Sequence, residues 1–308
     1  MQDAPTNPID VAIAAPEMVS ESQFAAGSVP AAVPPPPPPR PRRIPNFGDL
    51  AMLGLLLAGG FICTIVFIFV AIYLHLFGVA RIEDAMHSMG YAIGTMLVWY
   101  AIAFTPALFI FPAFWHRKLA DGLQWNAAVP RRRWPWLMAA GASCLLLAVG
   151  AKALLHFPEH SPLEGLLSTP QAIWIMFAFA ITLAPLCEET LFRGFMLPAL
   201  CTAFDWTGEK ITHRPAPALL AGNHPRWSLP AMIFSSAITS AIFAVFHMSQ
   251  NGKAIGPLAL IFTVSLVLCA VRLATRSLAA STLTHATYNC TLFVVQAIGS
   301  HGFTHLHR

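Results

Sequence analysis

Long apolar runs separated by short polar connections organise this chain. The runs are Leu50 to Val79, Met89 to Trp115, Pro135 to Leu155, Gln171 to Ala203, Leu229 to His247, Gly256 to Val271 and Ser277 to Ile298. A helix of roughly 20 apolar residues crosses a hydrocarbon core of ~30 Å, and it satisfies its own backbone hydrogen bonds there. The pattern therefore predicts an all-α fold, a polytopic transmembrane helical bundle with seven spans. The fourth run is longer than one crossing needs. Its second half, Leu191 to Ala203, either follows the interface or forms a separate short element, which would raise the count to eight.

Composition agrees, with 56% of residues hydrophobic and 10% charged, against roughly 25% charged in an ordinary soluble domain. Residues 1–49 differ in kind. An unbroken proline run, Pro34 to Pro39, sits among small and polar residues, and such a tail is expected to be disordered or polyproline II. It lacks the layout of a signal peptide, because the first apolar run begins only near Leu50. The expected divisions are this tail, N-terminal transmembrane helices over 50–170, a membrane core over 171–299, and a short tail over 300–308.

Lysine and arginine fall unevenly between the runs. One set of connections holds Arg40, Arg42, Arg43, Arg117, Lys118, Arg131, Arg132, Arg133, Lys210, Arg214, Arg226, Arg272 and Arg276, and the other only Arg81, Lys152, Lys253 and Arg308. The positive-inside rule then places the N-terminus in the cytoplasm of a multi-pass plasma (inner) membrane protein. The net charge of +4 needs no nucleic acid to explain it. The cysteines, Cys63, Cys144, Cys187, Cys201, Cys269 and Cys290, show no CxxC spacing and read as small apolar residues. Cys187 is a poor nucleophile, since the neighbouring Glu188 disfavours a thiolate.

An ionisable group at the bilayer centre costs roughly 2.5 to 3.5 kcal/mol on insertion scales, so the few inside the runs are the candidates for chemistry. They are Glu188, Glu189 and Arg193, then His247, then His285 with Asn289. Glu189 and Arg193 share a helix face at i,i+4 and read as a structural ion pair. Glu188 lies about 140° around the helix from Arg193 and must face something else. Pro185 should kink the helix about one turn earlier, freeing backbone groups near Glu188. Phe243 and His247 share one face of the fifth run, and His285 and Asn289 one face of the seventh. Brought to one cavity, a carboxylate, two imidazoles and an amide suffice for hydrolysis: the carboxylate as general base, the amide and a histidine as oxyanion donors.

The segments "EETLFR" (Glu188 to Arg193), "FAVFH" (Phe243 to His247) and "HATYN" (His285 to Asn289), in this order on separate helices, resemble the membrane-embedded CAAX prenyl proteases and their bacterial relatives, the CPBP or Abi family. The "FRG" continuation, Phe192 to Gly194, is similar too. The resemblance covers roughly Gln171 to Gly299 and makes the core a CPBP-type catalytic one. It implies an intramembrane endopeptidase acting on a membrane-associated peptide or protein in the lipid bilayer. Glu188 with His247 would activate water, His285 with Asn289 would stabilise the oxyanion, and Glu189, Arg193 and Phe243 would support them. No cofactor is required on this assignment. An alternative makes Glu188, His247 and His285 ligands of Zn2+, although no HExxH is present.

Two other classes compete, a non-enzymatic immunity or assembly factor on the same scaffold and a transporter or proton relay. The relay would spread acids and histidines through both leaflets, whereas these runs hold one cluster. Depth poses a difficulty. His285 stands about 12 Å above the inner start of its run and His247 about 27 Å above Leu229. Either the fifth helix enters nearer Ser235 and continues beyond His247, which the helix breakers between His213 and Pro230 favour, or Leu229 to Phe234 protrudes. The C-terminal His301, His305 and His307 read as an unstructured tail.

Overall fold

A computed structural model describes residues 43–299 apart from 80, 87, 159–166, 168, 214–218, 221–223 and 251–253, and every regular element among the described residues is helical. The proline run and the three C-terminal histidines lie outside the described residues. The elements are α1 (Phe47–Tyr73), α2 (Ile82–Met86), α3 (Met89–Trp115), α4 (Leu119–Gly122), α5 (Ala128–Leu154), α6 (Pro170–Ile181), α7 (Leu183–Glu189), a π-helical stretch Thr190–Met196, α8 (Leu197–Thr212), α9 (Leu229–Phe246), α10 (Ile255–Thr275) and α11 (Leu278–Gly299).

Order begins earlier than the predicted boundary at residue 49. Asn46 caps α1 by accepting from the backbone N–H groups of Gly48 and Asp49 at 2.9 and 3.3 Å, and Asp49 Oδ2 accepts from the Asn46 N–H at 2.8 Å. The other oxygen of the buried Asp49 accepts from Trp115 Nε1 at 3.0 Å, which ties the start of α1 to the end of α3. Ile44 is already in the core, and Arg43 pairs with Glu209 of α8 at 2.6 Å.

α1 and α3 form one antiparallel pair. Trp99 packs over Gly60 and donates to Leu57 O at 2.9 Å. α5 begins before the Pro135 boundary read from hydropathy, at Ala128, and departs from helical geometry at Arg133 (φ −119°, ψ 15°). It crosses α11 so closely that a Cβ on Gly141 would meet Thr284 O at 2.5 Å. Glycine is required there by contact.

Among the described residues six helical runs are long and apolar enough to cross a membrane: α1, α3, α5, the continuous run from Pro170 to Thr212, α9 and α10. Seven were expected. α11 falls short on apolarity because Ser281, Thr284 and His285 are buried in the middle of the bundle, against α5 and α10. Polar residues are tolerated in a spanning helix where they face the bundle interior. The fourth run is 43 residues long, and within it Leu191 to Ala203 forms the π-helical stretch and the start of α8, elements distinct from α6 and α7.

α9 starts at Leu229 and ends at Phe246, with His247 as its C-cap. It does not continue past His247, so that part of the expected arrangement is corrected. The first turns of α9 pair with α8: Ser228 Oγ donates to Asp205 Oδ1 at 2.5 Å, and the rings of Phe204 and Phe234 stack.

Candidate active site

The carboxylates ride on a short cylinder. α7 is seven residues long, entered through a break at Thr182 (φ −120°, ψ −84°) and left through the π-helical stretch. The break lies where the Pro185 ring would press on the carbonyl one turn back. It detaches the Ala180 carbonyl, which Asn289 Nδ2 caps at 2.7 Å. This is a use of Asn289 that the sequence reading did not assign. Its amide closes the kink, and one N–H is thereby committed.

Glu189 and Arg193 pair as their spacing required, Arg193 Nη1 donating to Glu189 Oε1 at 2.8 Å with both side chains fully buried. Arg193 also donates to the carbonyl and hydroxyl of Ser265 on α10, at 3.0 and 2.6 Å, and its guanidinium lies 4.7 Å from the centre of the Phe243 ring. A buried charge is tolerable because so many of its donors are answered. Among the described residues Arg193 Nε and Glu189 Oε2 have no partner.

The two histidines are held in the same manner. His247 Nδ1 lies 2.9 Å from Phe243 O, and since a carbonyl only accepts, Nδ1 carries the proton. His285 Nδ1 lies 3.0 Å from Glu189 Oε1. The Nε2 atoms of both rings turn to Glu188, whose Oε2 is 3.9 Å from His247 and 3.8 Å from His285. Phe243 is in ring contact with both imidazoles. The residues read from sequence on three separate runs therefore converge, and Glu189 does more than hold Arg193: the adjacent glutamates take one nitrogen each of the His285 ring.

These groups line one cavity of about 560 Å³ with Tyr288, Met176 and Phe179 among its apolar walls and Lys152 and Gln250 among its polar ones. Glu188 and His247 remain partly accessible, with side chains 20% and 21% exposed, while His285 is at 6%. Carboxylate and imidazole separations just beyond hydrogen-bond distance leave room for a bridging water.

Two imidazole nitrogens and a carboxylate oxygen are donors that zinc accepts. As they stand they do not fit it. A tetrahedral site with bonds of ~2.0 Å has ligand atoms ~3.3 Å apart, whereas these are 3.8 and 3.9 Å apart. Among the described residues no three His, Cys, Asp or Glu side chains form a group able to hold a metal ion.

Two residues that sequence reasoning missed complete the support. Arg272, counted there among cytoplasmic connections, is buried and donates to Arg193 O at 3.2 Å, Gln124 Oε1 at 2.8 Å and Leu123 O at 3.3 Å. The π-helical stretch displaces its backbone pairing, and Arg272 supplies a donor to one of its carbonyls. Ser265, two turns before Arg272 on α10, accepts from the Arg193 guanidinium through its carbonyl and hydroxyl. Their signal in the sequence was faint: a lone arginine near a span end, and one serine in an apolar helix. Of the cysteines, Cys144, Cys187, Cys201 and Cys269 are buried as expected, while Cys63 is exposed on α1 and Cys290 half-buried.

Compared with known families, residues 170–291 match the model described as type II CAAX prenyl endopeptidase Rce1-like. No curated protein and no solved structure matches the chain.

Proposed function

We propose that the protein, whose residues 170–291 match the Rce1-like type II CAAX prenyl endopeptidase model, hydrolyses a peptide bond in a membrane-associated substrate with water activated by Glu188 and His247. The observation that carries this reading is the position of Glu188 Oε2, within 3.9 Å of Nε2 on two imidazoles that are each tethered through Nδ1.

A water bridging Glu188 and His247 gives a proton to the carboxylate as its oxygen attacks the scissile carbonyl. The oxyanion forms beside His285. His285 acts as an imidazolium, with Nδ1–H donating to Glu189 Oε1 and Nε2–H to the oxyanion, and the buried carboxylate offsets its charge. The second amide N–H of Asn289 is available as a further donor, the first being held by Ala180 O. Glu188 then returns its proton to the leaving amine. Apolar cavity walls keep bulk water from the charges that develop.

The test is cleavage of a panel of membrane-anchored peptides by the detergent-purified protein, wild type beside Glu188→Gln, with bound zinc counted in the same samples. Loss of general-base catalysis typically removes about 10²- to 10⁴-fold of rate. The expected result is a drop in that range at unchanged thermal stability. An unchanged rate in Glu188→Gln rejects the reading. Activity that follows stoichiometric zinc, lost to a chelator and restored by the metal, replaces glutamate-activated water with a zinc site on Glu188, His247 and His285.

A further inference from the structure

A second polar cavity lies at the end of the bundle where α3 and α10 finish and α5 and α11 begin, the opposite end of α5 from Lys152. Its volume is about 830 Å³, and its lining includes Arg117, Arg276, Asp121, Gln124 and His224. Nothing in the proposed hydrolysis uses it. Two helix C-termini and two N-termini meet at this end, so the dipoles of about half a charge at each largely cancel. The local field is then set by side chains. Among the described residues neither Arg117 nor Arg276 has a carboxylate within ion-pair distance. Asp121 is the lining acid opposite them, and Arg272, buried just behind Gln124, adds a third guanidinium.

Three of the residues around the cavity, His116, Gln124 and Arg276, sit in the left-handed region at φ 51°, 56° and 50°. Glycine usually takes such positions. Here each instead presents a polar side chain to one space. The floor is firmly built: Gln124 accepts from Arg272 at 2.8 Å, the Gln124 carbonyl accepts from Leu278 N at 3.0 Å, and Asn126 O accepts from Ser277 Oγ at 2.8 Å.

We propose that this cavity binds a phosphate monoester, with Arg117 and Arg276 as its principal ligands and Arg272 adding to the positive field around them. Basic pockets between helices at the membrane surface are where anionic headgroups bind, and guanidinium forks match phosphate oxygens in pairs. The chemistry is shared by a lipid headgroup and by free phosphate. His224 supplies a second signature. Its imidazole is held below its usual range, first by burial and then by Arg117, Arg272 and Arg276, with Asp121 opposing them. A bound dianion reverses that field, so phosphate and proton favour one another and affinity rises as pH falls.

The experiment measures binding to the full-length protein in neutral detergent, by thermal shift and by mass spectrometry of the intact complex. The probes are dihexanoyl phosphatidic acid, dihexanoyl phosphatidylcholine and inorganic phosphate. We expect phosphatidic acid to bind at least tenfold tighter than phosphatidylcholine, the Arg117→Gln/Arg276→Gln double variant to lose that preference, and affinity to rise between pH 8 and pH 6 in wild type but not in His224→Gln. Phosphatidic acid tighter than phosphate assigns the site to a lipid headgroup, and equal affinity assigns it to free phosphate. No preference over phosphatidylcholine, or a preference that survives the double variant, overturns the proposal. Because the readout is binding, it stands or falls independently of peptidase activity.

Discussion

Glu189→Gln tests the buried pair at the centre of the site. The substitution keeps the shape of the side chain and an acceptor for one donor, but removes the charge shared by Arg193 Nη1 at 2.8 Å and His285 Nδ1 at 3.0 Å. Stranding a buried partner costs about 3–5 kcal/mol. Arg193 keeps the carbonyl and hydroxyl of Ser265 and the face of Phe243, which places the expected loss lower, at about 2–3 kcal/mol. At roughly 2–4 °C per kcal/mol for a chain of this size class, the melting temperature should fall by about 5–10 °C. The assay is a double-mutant cycle in detergent with Arg193→Met. If the charges answer each other, the double variant is more stable than the two single losses predict, by about 2 kcal/mol or more, since removing both leaves no stranded charge. Peptide cleavage by Glu189→Gln should also fall by roughly 10–100-fold, as when a partner orienting a functional histidine is lost. Stability losses that add within about 0.5 kcal/mol would refute the pairing argument.

Two further outcomes follow from packing and from protonation. Gly141→Leu should lower both melting temperature and cleavage, because its Cβ would meet Thr284 O at 2.5 Å and Thr287 Cβ at 2.8 Å, next to His285 on α11; Gly150→Ala, with open space around it, is the control that should change neither. The depressed folded-state affinity of His224 for a proton means that the unfolded ring binds protons the folded one refuses as pH drops below about 6.5. Stability should therefore decline through that window, and less steeply in His224→Gln, as followed by thermal melts across pH.

Much of the site was legible because helical spacing is a local rule. The i,i+4 interval alone paired Glu189 with Arg193, and the cost of burying charge singled out Glu188, His247 and His285 from an apolar background. What stayed hidden depends on partners distant in the chain. Arg272 looks like any arginine at a span end until α10 is seen to place it beneath Arg193 and Gln124. The break at Thr182 falls about where Pro185 was expected to kink the helix, but the donation from Asn289 to the freed Ala180 carbonyl depends on how α11 packs. The π-helical stretch is equally silent, since an apolar run reads the same whichever carbonyl each N–H selects. α11 was predicted as an ordinary span although its polar residues mark it as interior. The hydropathy boundary at His247 falls within one residue of the end of α9, and the structure departs only from the continuation beyond His247 inferred from depth.

The seven residues of α7 behave as a mechanical insert in a 43-residue rod. A joint stands at each end, Thr182 above and the π-helical stretch below, and each is bolted to a different neighbour: Asn289 of α11 at one and Arg272 of α10 at the other. Both joints are thus fastened to helices outside the rod itself. The two glutamates are then registered to the imidazole-bearing frame, and not to the membrane that surrounds it.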